Sequence, residues 1–413
     1  MSGRPIVVVY TPDSIGLGHL KRHAAIAAEV VHQIPGASVL LLVGGGVGAF
    51  FKLPKGCDSI KIPSVEKIGP ASWQPRSLTL EGPATGRLRA SLIRETIKQL
   101  RPDIFLVGHL PAGIWGELIP SLKLIRSLRF PTKVILGLRD IIDDPDRIRR
   151  RWSKEGHYRL IEQYYDHVLI YGDGDIFPTA DHYGLSSRIP GRLSYCGYVC
   201  STNSDENFTS TAARLKTWSI GTGGSNTKIP FVVVTGGGGE DAYPMMSACC
   251  TALKHLGATR AVRAAMIAGP LMPDGKRKQL CRIADGLPVE ILPWSLWVPD
   301  YLAAADLAIT MGGYNSILET ARLGKRAIII PRRGQTEGAE QRMRAALFDK
   351  LGLATHVPLD EATPERLAAT IRRLLDEPQK PRPALPLNGA QRASHLIRKL
   401  LQERDTVPAL AAA

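Results

Sequence analysis

Short runs of uninterrupted apolar residues recur along this chain, separated by stretches with helical spacing. In the first half the runs are IVVVY (6–10), SVLLLVGG (38–45), DIFLVGH (103–109), KVILGLRD (133–140) and HVLIYGD (167–173). A strand buried on one face alternates apolar with polar residues, whereas one covered on both faces does not, so these runs predict a parallel sheet with helices on each side. Residues 21–33 and 88–100 supply the helical pattern between them. After Cys200 the composition shifts to Ser, Thr, Asn and Gly over 201–228, and then the alternation restarts with FVVVTGGGG from Pro230. AAMIAGP (264–270), VEILPW (289–294), DLAITMGG (306–313), RAIIIPR (326–332) and ATHVP (354–358) follow. The expected organisation is an α/β chain of two doubly wound, Rossmann-like domains. An N-terminal domain covers 1–200, a polar linker 201–228, and a C-terminal domain 229–380. Prolines in 378–390 stop any helix there, and 391–404 regains amphipathic spacing, so 381–413 is expected to be a linker and a helix able to fold back onto the first domain.

Length and composition fit that pattern. At 413 residues and 44% hydrophobic, the chain is long enough for two cores. A formal charge of +15 implies affinity for anions, whether nucleic acid, acidic membrane or phosphorylated small molecules. The densest basic run, RIRRRWSK (147–154), carries a single aromatic, Trp152, and reads as a solvated helix face; specific nucleic-acid recognition is not expected. Six cysteines without a C-x-x-C pair read as reduced thiols, and no zinc-ligand spacing is completed. The apolar run at the N-terminus is too short for a signal segment and no apolar stretch reaches membrane-spanning length, so a cytoplasmic protein is expected.

Three glycine-bearing segments follow strands. In TPDSIGLGHLKR (11–22), Gly16 and Gly18 would let the backbone approach a ligand, His19 stands at a helix start, and Arg22 follows one turn on. The segment is neither a Walker loop nor a complete dinucleotide fingerprint. In TGGGGED (235–241), Gly236, Gly237 and Gly238 could wrap a diphosphate or serve close chain packing. The richest segment is MGGYNSILETARLGKRAIIIPR (311–332). There Gly312, Gly313 and Tyr314 lead to Asn315 and Ser316 as expected caps of a helix from Ile317, with Glu319 in its first turn, placed to accept hydrogen bonds from ribose hydroxyls. Arg332 ends the next strand, and Glu340, Gln341 and Arg344 share the following helix, supplying polar groups for sugar hydroxyls. Asp173-Gly174-Asp175 reads as a turn rather than a metal motif.

The G-G-Y-N-S segment, Glu319, Gly324, AIIIPR and the Glu340-Gln341 pair resemble the C-terminal domain of the peptidoglycan lipid II glycosyltransferase type, glycosyltransferase family 28. The segments IGLGHLKR (15–22), PSVEKIG (63–69), QPRSL (74–78), GHLPAGIWGEL (108–118), LGLRDIIDDP (136–145), YYDHVLIYGD (164–173) and YCGYV (195–199) resemble a bacterial family of predicted glycosyltransferases of that group. The resemblance implies two facing Rossmann-like domains with a cleft between them, the GT-B fold. It also implies inverting, metal-independent transfer of a hexose or N-acetylhexosamine from a UDP-type sugar to a hydroxyl acceptor, with no resident cofactor. Carried over, Glu319 matches the ribose-binding glutamate, Gly312 to Asn315 the phosphate-side turn, Gln341 the donor-sugar contact, and His19 the histidine near the reaction centre. One departure is Gly108, where an Asp is expected before His109; another is the acidic end of TGGGGED.

Such a transfer needs a base for the acceptor hydroxyl and positive or dipolar groups for the leaving diphosphate. His19 is the expected base with Asp13 as second candidate, and the helix near Asn315 with Arg332 or Arg333 is the expected leaving-group clamp. The basic run 147–154 and the arginines near Leu88 are compatible with peripheral docking on the inner face of an acidic membrane, toward a lipid-linked acceptor. The alternatives are a sugar-nucleotide epimerase or hydrolase on the same fold, and a nucleotide-sugar-binding protein without turnover.

Overall fold

The structure is a computed structural model, and it describes residues 4–12, 18–45, 53–69, 72–200, 229–295, 297–333, 338–378 and 381–406. The chain divides into two compact units, Met1–Ser201 with Pro386–Ala413, and Thr202–Leu385.

In the first unit, strands β1 (Ile6–Thr11), β2 (Ser38–Val43), β3 (Cys57–Lys61), β6 (Ile104–Gly108), β7 (Lys133–Arg139), β8 (His167–Tyr171) and β9 (Leu193–Tyr195) form one parallel sheet ordered β3-β2-β1-β6-β7-β8-β9. A separate hairpin, β4 (Val65–Gly69) and β5 (Ser72–Pro75), stands apart from it. The helices are α1 (Gly18–Gln33), α2 (Gly82–Leu100), α3 (Ile119–Ser127), α4 (Pro145–Lys154), α5 (His157–Tyr164) and α6 (Thr179–His182). Strands β6 and β8 are buried at every position, which is why their sequences run apolar without alternation. Edge strand β3 is largely exposed, so CDSIK lacks that signature.

The second unit repeats the plan with β10 (Phe231–Thr235), β11 (Arg263–Ile267), β12 (Val289–Leu292), β13 (Leu307–Thr310), β14 (Arg326–Ile329) and β15 (Thr355–His356), in the order β12-β11-β10-β13-β14-β15. Its helices are α7 (Tyr243–Gly257), α8 (Asp274–Ala284), α9 (Val298–Ala304), α10 (Tyr314–Arg322), α11 (Ala339–Lys350) and α12 (Pro364–Asp376). One face of the sheet packs Val232, Val234, Met266 and Ile309 against α7 and α12, and the other packs Phe231, Val233 and Ala308 against α9. The buried Cys249 and Cys250 are free thiols in the first of these cores.

After the second unit the chain returns to the first. Tyr198 N donates to Pro386 O at 2.7 Å, and Val199 bridges Asn388. Helix α13 (Gly389–Thr406) then packs along α1, where Ser394 Oγ donates to Glu29 O at 3.1 Å. Each sheet reverses direction of growth at its first strand, between β1 and β6 and between β10 and β13. In doubly wound folds ligands bind outside the carboxyl ends of the strands at such a switch point.

Candidate functional site

Each unit places the motifs singled out above at its switch point. In the second unit β13 ends at Thr310, and Gly312 turns the chain at φ 79°. A Cβ there would lie 2.7 Å from Ile329 Cγ2, so glycine is required by both backbone and space. The chain enters α10 at once. Gly313 is its extended N-cap, with no side-chain cap bond, and the helix begins at Tyr314. This corrects the expected helix start: Asn315 and Ser316 lie inside the first turn rather than capping it, and Glu319 lies in the second turn, because the left-handed Gly312 completes the strand-to-helix turn earlier than the polar residues suggested. The N-terminus of α10, the positive end of the helix, lies beyond the end of β13.

Arg344, on α11 and only 1% exposed, donates from Nη1 to Gly312 O at 3.0 Å, and its guanidinium carbon lies 5.6 Å from the Tyr314 ring centre. The Gln341 side-chain oxygen accepts from Arg332 N at 3.2 Å, and Arg332 Nη1 donates to Asp241 at 2.7 Å. The structure thus brings together Gly312, Tyr314, Arg332, Gln341 and Arg344, joining the ends of β13 and β14 to α11. Asp241, the acidic end of TGGGGED, ties the first glycine segment to this group. Within that segment, a Cβ at Gly236 would lie 2.4 Å from Ala242 Cβ, and one at Gly239 2.4 Å from Ala268 O, so these two glycines serve chain packing. Gly237, at φ 60°, meets nothing within 4 Å. Gly238 passes against Gly269. Glu319 and Glu340 are half-buried, on α10 and α11.

In the first unit, Asp13 and Gly16 fall outside the described residues. Gly18 opens α1, and His19, Arg22 and His23 follow on it. Arg22 is 4% exposed; it donates from Nη2 to His19 Nδ1 at 3.1 Å and lies over the Tyr171 ring at 5.8 Å. His109 follows β6 at φ 63°, a left-handed conformation uncommon for a residue with a Cβ. Its ring centre is 5.4 Å from that of His19. His23 is fully buried, shares a hydrogen bond with Thr11 Oγ1 at 2.9 Å, and lies 6.3 Å from His19.

Two glycines make room for this cluster. Gly108 and Gly137 are register partners on β6 and β7. A Cβ at 108 would lie 2.3 Å from His23 Cε1, and one at 137 would lie 2.0 Å from the Tyr171 hydroxyl. The Asp expected at 108 therefore has no space, because the His23 imidazole occupies it. Burial and the nearby Arg22 push His23 down to about 3. Burial, then Arg22, His109, Arg139 and His23, holds His19 well below the usual imidazole range. Burial and the cations Arg139, Arg151, Arg22 and Lys67 do the same for His109. All three rings are neutral near pH 7.

The first unit also holds a buried ion pair that the sequence did not reveal. Arg89 meets Glu117 with two hydrogen bonds, of 2.7 and 2.6 Å, while the Tyr10 hydroxyl donates to Glu117 and Arg89 also donates to Pro63 O. Glu117 lies in GHLPAGIWGEL and Pro63 in PSVEKIG, so this pair joins two of the quoted segments. Asp173 to Asp175 is a turn, in which Asp175 N donates to the Asp173 carboxylate at 2.9 Å. The basic run lies on α4, with Ile148 and Trp152 buried and Asp144 capping its N-terminus.

Residues 231–400 match the Glycosyltransferase family 28 C-terminal domain. The UDP-N-acetylglucosamine--N-acetylmuramyl-(pentapeptide) pyrophosphoryl-undecaprenol N-acetylglucosamine transferase of Methylorubrum populi is 28% identical over 152 residues, 37% of this chain and 41% of that protein. The protein of the same name from Geobacillus thermodenitrificans is 29% identical over 105 residues, 25% of this chain and 30% of that protein. The matched part is thus well under half the length of these curated relatives. Among solved structures, Acinetobacter baumannii MurG has a TM-score of 0.53 at 15% identity, covering 96% of this chain and 95% of its own. A candidate UDP-N-acetylglucosamine 2-epimerase from Listeria monocytogenes has a TM-score of 0.62 at 12% identity, covering 98% and 97%. The glycotransferase of kitacinnamycin reaches 0.57 at 17% identity, covering 98% of both chains. At these identities the structures establish the fold, which is GT-B.

Proposed function

We propose that this chain, which carries the glycosyltransferase family 28 C-terminal domain and belongs with the relatives of the lipid II glycosyltransferases, moves a hexose or N-acetylhexosamine from a UDP-type sugar to a hydroxyl acceptor with inversion. The observation that carries the reading is the turn at Gly312, pinned by buried Arg344 at a switch point and opening directly into α10. A helix start offers its N–H groups to a diphosphate, and a preorganised donor set costs nothing to reorganise as negative charge develops on the leaving group. In this reading Arg332 exchanges its ion pair with Asp241 for the diphosphate, Gln341 meets the donor sugar, and Glu319 accepts from the ribose hydroxyls. The acceptor hydroxyl meets the histidine cluster of the first unit. No metal and no resident cofactor enters the scheme.

The acceptor is proposed to be lipid-linked, and the protein to work in the cytoplasm, docked peripherally on the inner face of the cell membrane. Among the described residues no helix is long and apolar enough to cross a membrane. The relatives' name gives an undecaprenol-linked substrate, and the exposed Leu88 and Leu92 flanked by Arg87 and Arg94 on α2 support the docking.

Thermal shift against a panel of nucleotide sugars, followed by incubation with radiolabelled donor, tests the proposal. Stabilisation by a nucleoside-diphosphate sugar is expected, because a ligand of the native state raises apparent stability by mass action, and label then appears on a hydroxyl acceptor. Free sugar or an epimer formed without acceptor replaces transfer with the hydrolase or epimerase reading. Binding without turnover over a broad acceptor panel replaces it with a binding protein.

A further inference from the structure

The geometry points to a division of labour between two histidines: Arg22 fixes His19 as the Nε2–H tautomer, making His19 the hydrogen-bond donor of the acceptor site, and His109 takes the proton. The inference rests on the acceptor-side reading above and assigns roles within it.

A guanidinium has donors only and stays protonated in proteins. Its contact with His19 Nδ1 at 3.1 Å therefore needs a lone pair on Nδ1. A neutral imidazole with a lone pair on Nδ1 carries its proton on Nε2. An imidazole base that works through Nε2 has the opposite arrangement, with Nδ1–H donated to a carboxylate or carbonyl. A carboxylate at position 108 could have supplied that partner, but the His23 ring fills the space. The expectation that His19 is the base is revised accordingly: with Nδ1 accepting from Arg22, Nε2 carries the proton and has no lone pair to receive another.

His109 carries the signs of the complementary role. Its Nδ1 is buried, and among the described residues no hydrogen-bond partner reaches it, an arrangement that costs roughly 1–3 kcal/mol when nothing fills it. Its backbone is held at φ 63° at the carboxyl end of β6, beside the switch point, and strain of that kind gathers at functional positions. Its ring lies next to His19. Among the described residues, the charged and titratable groups that act on the pair are Arg22, Arg139, Arg151, Lys67 and His23, all cationic or neutral, so the free ring is neutral and holds a lone pair. In the transfer step the acceptor O–H proton passes to His109 while the oxygen, hydrogen-bonded by His19, bonds to the anomeric carbon of the sugar. The bond from that carbon to the diphosphate breaks, and its electron pair leaves on the nucleoside diphosphate. The imidazolium of His109 then releases its proton to solvent.

Histidine-selective 15N labelling of the full chain, with two-bond nitrogen–proton correlation spectra near pH 7, decides the tautomer without any substrate. His19→Gln and His109→Gln supply the assignments. His19 is expected with Nε2 protonated and Nδ1 bare. Arg22→Lys, which keeps a donor, preserves that pattern, and Arg22→Met releases it. A protonated Nδ1 on His19 in the unsubstituted chain overturns the proposal, whether or not transfer is observed. For turnover, His19→Gln keeps a donor and retains at least tenfold more kcat/KM than His109→Gln. The fall of kcat/KM at acid pH, where His109 becomes protonated, persists in His19→Gln and disappears from the residual rate of His109→Gln. The reverse ranking, or an acid limb that vanishes with His19, overturns the assignment of His109. Failure to find any acceptor would defeat the transferase reading, while the spectra would still decide the role of His19.

Discussion

At the scale of single residues, Gly108 and His23 form a pair in which each explains the other. Adding one methyl group at 108 puts it 2.3 Å from His23 Cε1, and this is a fully buried ring with no open side to move into. Overpacking of this kind costs typically 1–3 kcal/mol. Gly108→Ala is therefore expected to lower the urea midpoint, and His23→Ala in the same chain to restore part of the loss. A double-mutant cycle with no coupling would contradict the pairing. His23 also makes the first unit sensitive to acid. Its imidazole titrates near 6.5 when unfolded and at about 3 in place, so between those values the unfolded chain binds more protons. The stabilisation is complete above about pH 6.5 and is lost as pH falls toward 3, with a slope of up to about 1.4 kcal/mol per pH unit for this group. His19 and His109 act in the same direction. Urea titrations from pH 8 to 5 should show stability falling, and His23→Gln should fall less steeply; a flat profile would refute the burial of neutral rings. Sequence alone reached His19, because it stands at a helix start after a glycine turn. It missed His23 and His109, since spacing does not reveal that a helix side chain fills a gap above a neighbouring strand. The Gly at 108, where the resemblance led one to expect Asp, was the available signal.

At the scale of elements, strands were the legible part. The eleven apolar runs all became strands of the two parallel sheets, and most of them are buried on both faces, which writes itself as uninterrupted hydrophobicity. The edge strand β3, the hairpin β4–β5 and the short β9 were not read, being exposed or half-buried along most of their length. Helix α10 shows a different limit. Asn315 and Ser316 have the chemistry of caps, yet tertiary geometry at Gly312 starts the helix before them, so a local rule gave way to the turn. What holds that turn lies far along the chain, in Arg344. Replacing it with Met keeps the apolar stem but removes the donor to Gly312 O. A buried carbonyl left without its partner costs about 1–3 kcal/mol. Arg344→Met is expected to destabilise the second unit by that amount and to weaken nucleotide-sugar binding by tenfold or more, since the loosened turn no longer presents the start of α10. Thermal shift read with and without donor separates the two effects. A variant destabilised but unchanged in donor affinity would detach the turn from the binding site.

At the scale of the whole molecule, the charge of +15 has to be accounted for by a partner or a surface. Part of it is internal: Arg22, Arg89 and Arg344 are buried and pin hydrogen-bond networks, so they present no charge to an outside surface. Another part lies where apolar side chains are also left in water. Ile68 is 57% exposed, Leu78 42%, Leu80 47%, Leu88 41% and Leu92 38%, and Lys67, Arg76, Arg87 and Arg94 belong to the same stretch of the first unit. Leu88 and Leu92 are four apart on α2 and share one face of it. Exposed leucines beside arginines suit a bilayer interface, where the leucines enter the acyl boundary and each cation gains about 1 kcal/mol from anionic headgroups. The basic helix α4 lacks such a companion, since its apolar residues face inward. Docking should therefore depend on α2 and much less on α4. With vesicles containing anionic lipid at low salt, the chain is expected to co-sediment, and Leu88→Ser with Leu92→Ser to remain in the supernatant at unchanged melting temperature. Arg87→Ser with Arg94→Ser should lower the bound fraction and flatten its dependence on salt, because exposed charges interact only within a Debye length of about 10 Å at 0.1 M. Substituting Arg150 and Arg151 of α4 should leave binding near its starting value. Equal binding to vesicles with and without anionic lipid, or loss confined to the α4 variant, would remove α2 as the docking face and leave the positive charge to the soluble anionic substrate alone.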